Sequence, residues 1–496
     1  MRKRSVYIFL LFLSIIYTAF SVNAEEQTRQ IELSLQDCIS LALKSNLSIS
    51  IQRINPQIQD SLLLMTKGRY DPSLNFGVNT SHSEGASQTF SSSQLDNQKS
   101  NAQSYGFGIT DPVITGGEYE ISLNSSRSKS DSNVHPAYRS GTVFSINQPL
   151  MEGFGINLNR APISIAKNNK DISLLRLKSQ LIGNLSDVQD IYWELIFDIE
   201  NLKVQESSLK QAQDLLNLNL KLKENYKANM SDVLQAQSAV ASREADVLIA
   251  KDAIKDSEDE LKRITNIIQD DSQWEMTIIP LDSPSFEEVQ ANLQDSIKTA
   301  IEKRPEYKQA KLNVENSDLT VMMAKNQKLP IMDLDGSLSL NGLGDDFGEP
   351  FSQVGKAENK SWTAGIALLM PLGGKTDKGN LKRSQLEKEQ DLLALKDQEQ
   401  QIISEVRSAV RQIDTGKKRI LATTKAEEFA KQVLATEEKK YALGLSTSYN
   451  LLQFQSNLAT ATRNRIRTAI DYRKSIVNLY KSQGITLEEL NINLGE

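Results

Sequence analysis

Histidine and cysteine are nearly absent from these 496 residues, with two of the first and one of the second. His82 and His135 lie in polar stretches, and neither has a partner at metal-ligand spacing. Cys38 is alone, so no intramolecular disulfide can form. It falls on the apolar face of a short helical pattern with Leu35, Ile39 and Ala42, where it reads as a small buried hydrophobe rather than a reactive thiol. Carboxylates are plentiful but scattered over helical faces, where solvation and ion pairing account for them. Gly373-Gly374-Lys375-Thr376 has the ending of a phosphate-binding loop. That motif needs a glycine five residues before Gly374, and the position holds Leu369, so a strand-to-helix junction is the expected reading. No catalytic residue, metal site or cofactor is expected.

Long apolar runs are also scarce. Mean hydropathy is −0.40, and beyond the first residues no apolar run reaches the length of a membrane helix. If the mature chain enters a membrane, it must do so as a β-barrel. The exception at the start has the form of a secretory leader. Arg2, Lys3 and Arg4 precede the apolar run Val6 to Phe20, and Val22-Asn23-Ala24 supplies small residues for cleavage after Ala24. Residues 1–24 are therefore expected to be a signal peptide. Position 25 is Glu rather than Cys, so no lipid attachment is expected there. Losing the leader takes the formal net charge from −6 to −9, which argues against nucleic acid as a partner.

What is present is a duplication. Leu35-Gln36-Asp37-Cys38-Ile39 returns as Leu293-Gln294-Asp295-Ser296-Ile297, and the offset holds without a gap through Pro72 and Pro330. Gln148-Pro149-Leu150 corresponds to Met370-Pro371-Leu372, and Tyr226 to Gln237 corresponds to Tyr441 to Gln455, the second copy being longer there by three residues. Each half reads as short helix, helix, strands, very long helix, tight break, long helix. This divides the chain into a first repeat at 25–266 (strands within 73–149, helical hairpin 156–266) and a linker at 267–292. A second repeat follows at 293–482 (strands within 331–371, hairpin 377–482), then a C-terminal segment at 483–496.

The strand segments alternate. Leu74, Phe76 and Val78 oppose Ser73, Asn75, Gly77 and Asn79, while Trp362, Ala364, Ile366, Leu368 and Met370 oppose Thr363, Gly365 and Ala367. A period of two with one apolar face suits a half-buried sheet and equally a lipid-facing barrel strand. Between Asn79 and Thr142 lies a stretch with no counterpart in the second half. Its Ser81 to Ser104 part is expected to be a solvated loop. Two alternating runs follow within 103–128, marked by Tyr105, Phe107, Ile109 and by Tyr119, Ile121, Leu123, with Thr115-Gly116-Gly117 as the turn. This could be an extra barrel hairpin or an extracellular decoration.

From Ile156 to Ala228 there is one glycine in 73 residues. Leu174, Leu177, Leu181, Leu185, Val188, Tyr192, Leu195, Ile199 and Leu202 keep a three-four spacing, which specifies helix-on-helix packing. Such a helix is roughly 110 Å long, and its second copy, from about Asp377 to Leu443, about 100 Å. Four strands cannot close a barrel, which needs about eight or more, so oligomerisation is required. Pro72, Pro149, Pro330 and Pro371 each stand where a strand pattern meets a helix pattern, as a residue that ends ladders should.

With LSLQDCISLALKSN, LQDSIKTAIEKRPEYKQAKL, VFSINQPLMEGFG, YKANMSDVLQAQ and YALGLSTSYNLLQFQ in this order, residues 31 to 485 resemble the TolC family of outer-membrane efflux ducts. The resemblance implies a mixed α and β fold. A homotrimer shares one outer-membrane β-barrel, usually of twelve strands, continued by a periplasmic coiled-coil tunnel with an equatorial belt at 267–292 and 483–496. It implies partnership with a periplasmic membrane-fusion adaptor, an inner-membrane RND or ABC transporter and outer-membrane lipid. It also places adaptor contacts at the hairpin tips, here Tyr226, Met230, Ser231, Gly444, Leu445 and Ser446. The first tip is three residues shorter and lacks glycine. Family members carry acidic residues at two constriction positions where this chain has Asn450 and Gln453, so a neutral constriction is expected. Asp232 matches an acid that bonds the tyrosine equivalent to Tyr441; simple capping of the following helix is the other reading. The duct performs no chemistry. A duct dedicated to protein secretion, and a soluble periplasmic coiled-coil scaffold, are the alternatives.

Overall fold

The computed structural model describes residues 30–88, 95–130, 135–224, 229–268, 270–284 and 288–492; the expected leader lies outside them. In chain order the elements are β1 (Gln30–Leu33), α1 (Leu35–Ser45), α2 (Leu47–Lys67), β2 (Ser73–Gln88), β3 (Leu95–Pro112), β4 (Glu118–Ser130) and β5 (Ala137–Pro149). Then come α3 (Ile156–Glu224), α4 (Met230–Thr265), β6 (Thr277–Pro280), α5 (Leu293–Lys303), α6 (Pro305–Asn326) and β7 (Ile331–Gly344). The chain ends with α7 (Gly348–Gly355), β8 (Asn359–Leu369), α8 (Lys375–Ala442), α9 (Ser448–Gln483) and α10 (Thr486–Glu489). These fall into two units. Among the described residues no helix is long and apolar enough to cross a membrane.

The unit made of Arg53–Leu177 and Pro305–Gln400 carries one antiparallel sheet of six strands, in the order β2-β3-β4-β5-β7-β8. Register sorts its side chains into two faces. Leu74, Ile109, Ile121, Phe144, Leu338 and Trp362 form one row across all six strands. Every one of them is exposed, Trp362 at 75%. The adjacent row on the opposite face is Ser73, Thr110, Glu120, Ser145, Ser337 and Thr363. Ser337 and Thr363 share a hydrogen bond of 2.6 Å there.

The sheet has six strands, because the unmatched stretch, which the sequence leaves open as an extra hairpin or a decoration, supplies β3 and β4 to its middle. Two sequence expectations are corrected in this unit. Of the Ser81 to Ser104 stretch, expected as a loop, the described residues are strand: β2 continues to Gln88 and β3 begins at Leu95, with His82 opposite Asn101. Ladder hydrogen bonds are made by the backbone and do not need apolar side chains. Polar cross-strand pairs help instead, His82 Nδ1 meeting Asn101 Oδ1 at 2.7 Å and Lys99 Nζ meeting Glu84 Oε1 at 2.7 Å. Leu174 is also corrected. It sits on the expected packing stripe but is 45% exposed.

The other unit, made of the residues up to Gln52, Lys178–Arg304 and Gln401 onward, is helical apart from one strand pair. Leu181, Leu185, Val188, Tyr192 and Leu195 of α3 are fully buried, as are Ile402, Val406, Ala409 and Ile413 of α8. The duplication reaches into the caps. Ser34 Oγ accepts the Asp37 N–H at 3.1 Å at the start of α1, and at the matching position Asn292 Oδ1 accepts the Gln294 N–H at 2.9 Å at the start of α5. Cys38 and Ser296 are both buried, and so are Ala42 and Ala300.

β1 pairs with β6 in parallel, Gln30 opposite Thr277, a contact the sequence reading did not anticipate. Asp282 accepts hydrogen bonds from the Leu35 N–H at 2.8 Å and from the buried Tyr192 hydroxyl at 2.7 Å. Burial raises the Tyr192 pKa, and the Asp282 bond adds to the shift. Glu194 is pulled the other way. Burial opposes its ionisation, but hydrogen bonds from Lys474 and Arg467 hold its pKa below the usual value.

Two outcomes follow. Burial pushes the Cys38 thiol up to about 12, so maleimide should leave it unlabelled in the folded protein and label it fully in denaturant. Burial also raises Asp190 from 3.8 to about 6, against the pull of Lys474 and Lys481. Its Oδ1 has no hydrogen-bond partner among the described residues. The native carboxyl binds its proton at higher pH than the unfolded chain does, so stability falls as pH rises from about 4 to about 6. Asp190→Asn should therefore stabilise the protein by on the order of 1–2 kcal/mol at pH 7.5 and by nothing at pH 4. Thermal melts of both proteins at the two pH values check this.

Candidate functional site

Two constellations gather the residues that the sequence singles out. The first is the strand–helix junction. Pro72 directly precedes β2, Pro149 is the last residue of β5, Pro330 directly precedes β7, and Pro371 follows β8 by two residues. Around them the chain turns on glycines. Gly153, Gly155 and Gly116 have φ of +81°, +120° and +99°, a region that glycine enters without strain. Space is equally restrictive at Gly116, where a Cβ would come within 2.2 Å of the Gly153 carbonyl oxygen.

Asparagines satisfy the backbone left unpaired where the strands end. Asn326 Oδ1 accepts the Gly153 N–H at 2.7 Å, and Asn326 Nδ2 donates to the Met151 carbonyl at 3.2 Å. Asn159 Nδ2 donates to the Gly153 carbonyl at 2.7 Å, and the Tyr70 hydroxyl donates to the Asn159 carbonyl at 2.6 Å. The turn between β3 and β4 joins the same network through a bond of 3.0 Å from the Gly155 N–H to the Thr115 carbonyl. Gly373 and Gly374, with φ of +111° and +54°, lead directly into α8. The phosphate-loop-like stretch therefore stands between β8 and a helix.

The second constellation lies at the helix-hairpin tips. Tyr226 falls outside the described residues. α8 ends in a left-handed Gly444 with φ +75°; the Leu445 N–H bonds the Lys440 carbonyl and the Gly444 N–H the Tyr441 carbonyl, both at 2.9 Å. This is the Schellman arrangement, which satisfies the last carbonyls of the helix. Leu445, three-quarters exposed, projects from the break. Ser446 Oγ donates to Glu437 Oε1 at 2.5 Å, and that bond, with Lys440, lowers the Glu437 pKa. Thr447 Oγ1 caps α9 by accepting the Asn450 N–H at 3.3 Å. Asn450 and Gln453 are exposed one helical turn apart, and Gln453 bonds Asn457 at 3.0 Å. On the first tip, Met230 and Ser231 are exposed at the start of α4.

Asp232 and Tyr441 do not meet, contrary to the contact that the resemblance implies. The Asp232 carboxylate accepts the Asn229 N–H at 3.3 Å, one half of a capping box. The Tyr441 hydroxyl instead donates to Asn219 Oδ1 at 2.5 Å and lies 3.0 Å from Ser448 Oγ. Asn219 is fully buried, and its Nδ2 donates to the Asp232 carbonyl at 3.2 Å and to Ser448 Oγ at 3.0 Å. One amide thus ties α3, α4, α8 and α9 together beside an apolar cluster of Leu215, Leu434 and Leu451. The sequence reading missed Asn219. The available signal was its place in the register of Ser208, Ala212 and Leu215, four residues beyond the leucine on an otherwise core-facing row. Among the described residues no group of acids, histidines or cysteine is placed to hold a metal.

The profile of a family described as outer membrane efflux protein matches residues 118–266 and 296–484, one range in each repeat. A probable efflux pump outer membrane protein, TtgC of Pseudomonas putida, is 22% identical over 314 residues, 62% of this chain; an antibiotic efflux pump outer membrane protein, ArpC of the same species, is equally similar. The chain spans 61% of the length of these curated relatives. In fold it resembles the CmeC outer membrane channel of Campylobacter jejuni, with a TM-score of 0.70, 16% identity and coverage of 93% of this chain and 90% of that one. It also resembles the open MtrE outer membrane channel of Neisseria gonorrhoeae, with a TM-score of 0.64, 17% identity and coverage of 94% of each chain. With both halves matched across most of its length, the chain belongs to the outer membrane efflux protein family and, with it, to the outer membrane.

Proposed function

We propose that three copies of this chain form a passive exit duct, the outer-membrane component of a tripartite efflux or type I secretion system. The observation that carries this reading is a sheet with an apolar band across one face of all six strands, opposite a polar row and open at both edges, in a chain that also holds helices of 69 and 68 residues. An apolar face of that extent needs lipid, and the open edges need other strands. Exposed Leu421 and Phe429 on α8, and Leu248 and Ile249 on α4, each between 61% and 68% accessible, offer helix surface for neighbouring copies.

In this reading 156–266 and 377–482 are tunnel hairpins, and 267–292 with 483–496 form the belt around them. The tips meet a periplasmic adaptor, which links the duct to an RND or ABC transporter in the inner membrane. Asn219, Tyr441 and Ser448 hold each tip closed through neutral hydrogen bonds. Asn450 and Gln453 line a constriction without fixed charge. No catalytic step is assigned to the chain; it offers a path.

Membrane fractionation with chemical crosslinking should give an outer-membrane species and a ladder that stops at three copies; a soluble species would establish the scaffold alternative. At the tip, Asn219→Ala should cost about 1–3 kcal/mol, because it orphans buried partners, and should raise single-channel conductance. Asp232→Ala should lower stability by about 1 kcal/mol as a lost cap and leave conductance unchanged. Multivalent cations added on the tip side should not block the channel. Block at micromolar concentration would contradict a neutral constriction.

A further inference from the structure

The sheet holds more strands than the duplicated plan of the chain supplies. The ungapped offset from Pro72 to Pro330 makes β2 the counterpart of β7, and Pro149 with Pro371 makes β5 the counterpart of β8. Between β7 and β8 the second half has only α7, whereas the first half has β3 and β4. An added hairpin of this kind is either an outgrowth on the sheet or a part of its wall.

Three features make it wall. β3 and β4 stand between β2 and β5, and β2 has no ladder with β5. The register runs unbroken through them, so Ile109 and Ile121 continue the apolar row from Leu74 to Phe144. On the other face Thr110 and Glu120 continue the polar row. Their turn is built into the junction, where the Val113 N–H bonds the Gly117 carbonyl at 2.7 Å and Thr115 accepts from Gly155. A decoration outside the wall would need neither this alternation nor this anchorage.

The six-stranded sheet therefore presents two open edges among the described residues, β2 and β8. Unpaired ladder groups are not tolerated in hydrocarbon, and six strands are too few to close on themselves. We propose that β2 of one copy pairs with β8 of the next, and that three copies close an eighteen-stranded barrel. This rests on the trimeric duct proposed above. At a strand spacing of about 4.8 Å and a tilt of about 40°, eighteen strands give a backbone radius of about 18 Å against about 12 Å for twelve. The exit is then roughly twice as large in cross-section as four strands per copy would allow. Its inner rows are mostly small, as Asn75, Gly108, Ser122 and Ser361 show, so side chains leave that space open. The outer exit does not limit the size of what passes; that task falls to narrower parts of the duct.

Electron cryomicroscopy of the full chain in lipid nanodiscs counts the strands directly. Eighteen in a three-fold ring is the expected result. Twelve in a three-fold ring, with β3 and β4 folded outside the wall, overturns the proposal and leaves the trimeric duct standing. Two copies closing twelve strands overturn the trimer on which it rests. Spin labels give a second measurement on the same full-length protein. A label at Leu123→Cys should be reached by oxygen in the lipid, and one at Asn124→Cys by a water-soluble nickel chelate. Equal access of the chelate to both sites would place the hairpin outside the wall and overturn the proposal.

Discussion

A backbone amide in hydrocarbon must have a partner, and no side chain in the sheet can supply it for a whole strand. That constraint accounts for more of this chain than any single contact. It makes a six-stranded sheet with an apolar face an incomplete object, and it dictates that completion comes from more strands. It also explains the junction. Where the ladders stop, Asn326 and Asn159 take over the backbone groups, and Gly153, Gly155 and Gly116 let the chain turn closely enough for them to reach. The prolines at the strand ends remove donors at the places where a donor would have no ladder partner.

The sequence revealed the architecture through period and order. Alternation at Leu74, Phe76 and Val78 marked a strand, and the three-four spacing of Leu181, Leu185, Val188, Tyr192 and Leu195 marked a packed helix. Both signals come from one face of an element being held against a uniform environment. Where the environment is not uniform the signal failed. The Ser81 to Ser104 region has no apolar face, since its pairing is made by backbone and by polar pairs such as His82 with Asn101, so period carried no information there. Leu174 kept the spacing but lies outside the buried stretch. β1 was invisible for another reason: four residues whose only ladder partner is some 250 positions away leave no local pattern.

The tip shows the limits of carrying residues over from a family. Position alone paired Asp232 with Tyr441. The geometry gives Asp232 a backbone amide and gives Tyr441 a buried asparagine on another helix. A tip whose helices are tied by an amide differs in kind from one tied by a carboxylate. The bonds of Asn219 to Tyr441 and Ser448 involve no ion pair, so salt screens them little.

The parallel pair of β1 and β6 bears on how the chain comes to be folded at all. A secreted polypeptide emerges amino end first, yet Gln30–Leu33 cannot find its ladder until Thr277–Pro280 has followed it out, and Leu35 cannot be held by Asp282 before then. The earliest residues to arrive are thus among the last to be fixed in place. More than half of the polypeptide must wait in an unfinished state, with its apolar stripes uncovered, which is a long exposure to aggregation for a chain still in transit. The demand this places on the cell is for holding factors on the far side of the export machinery, and it is set by the four residues Gln30–Leu33.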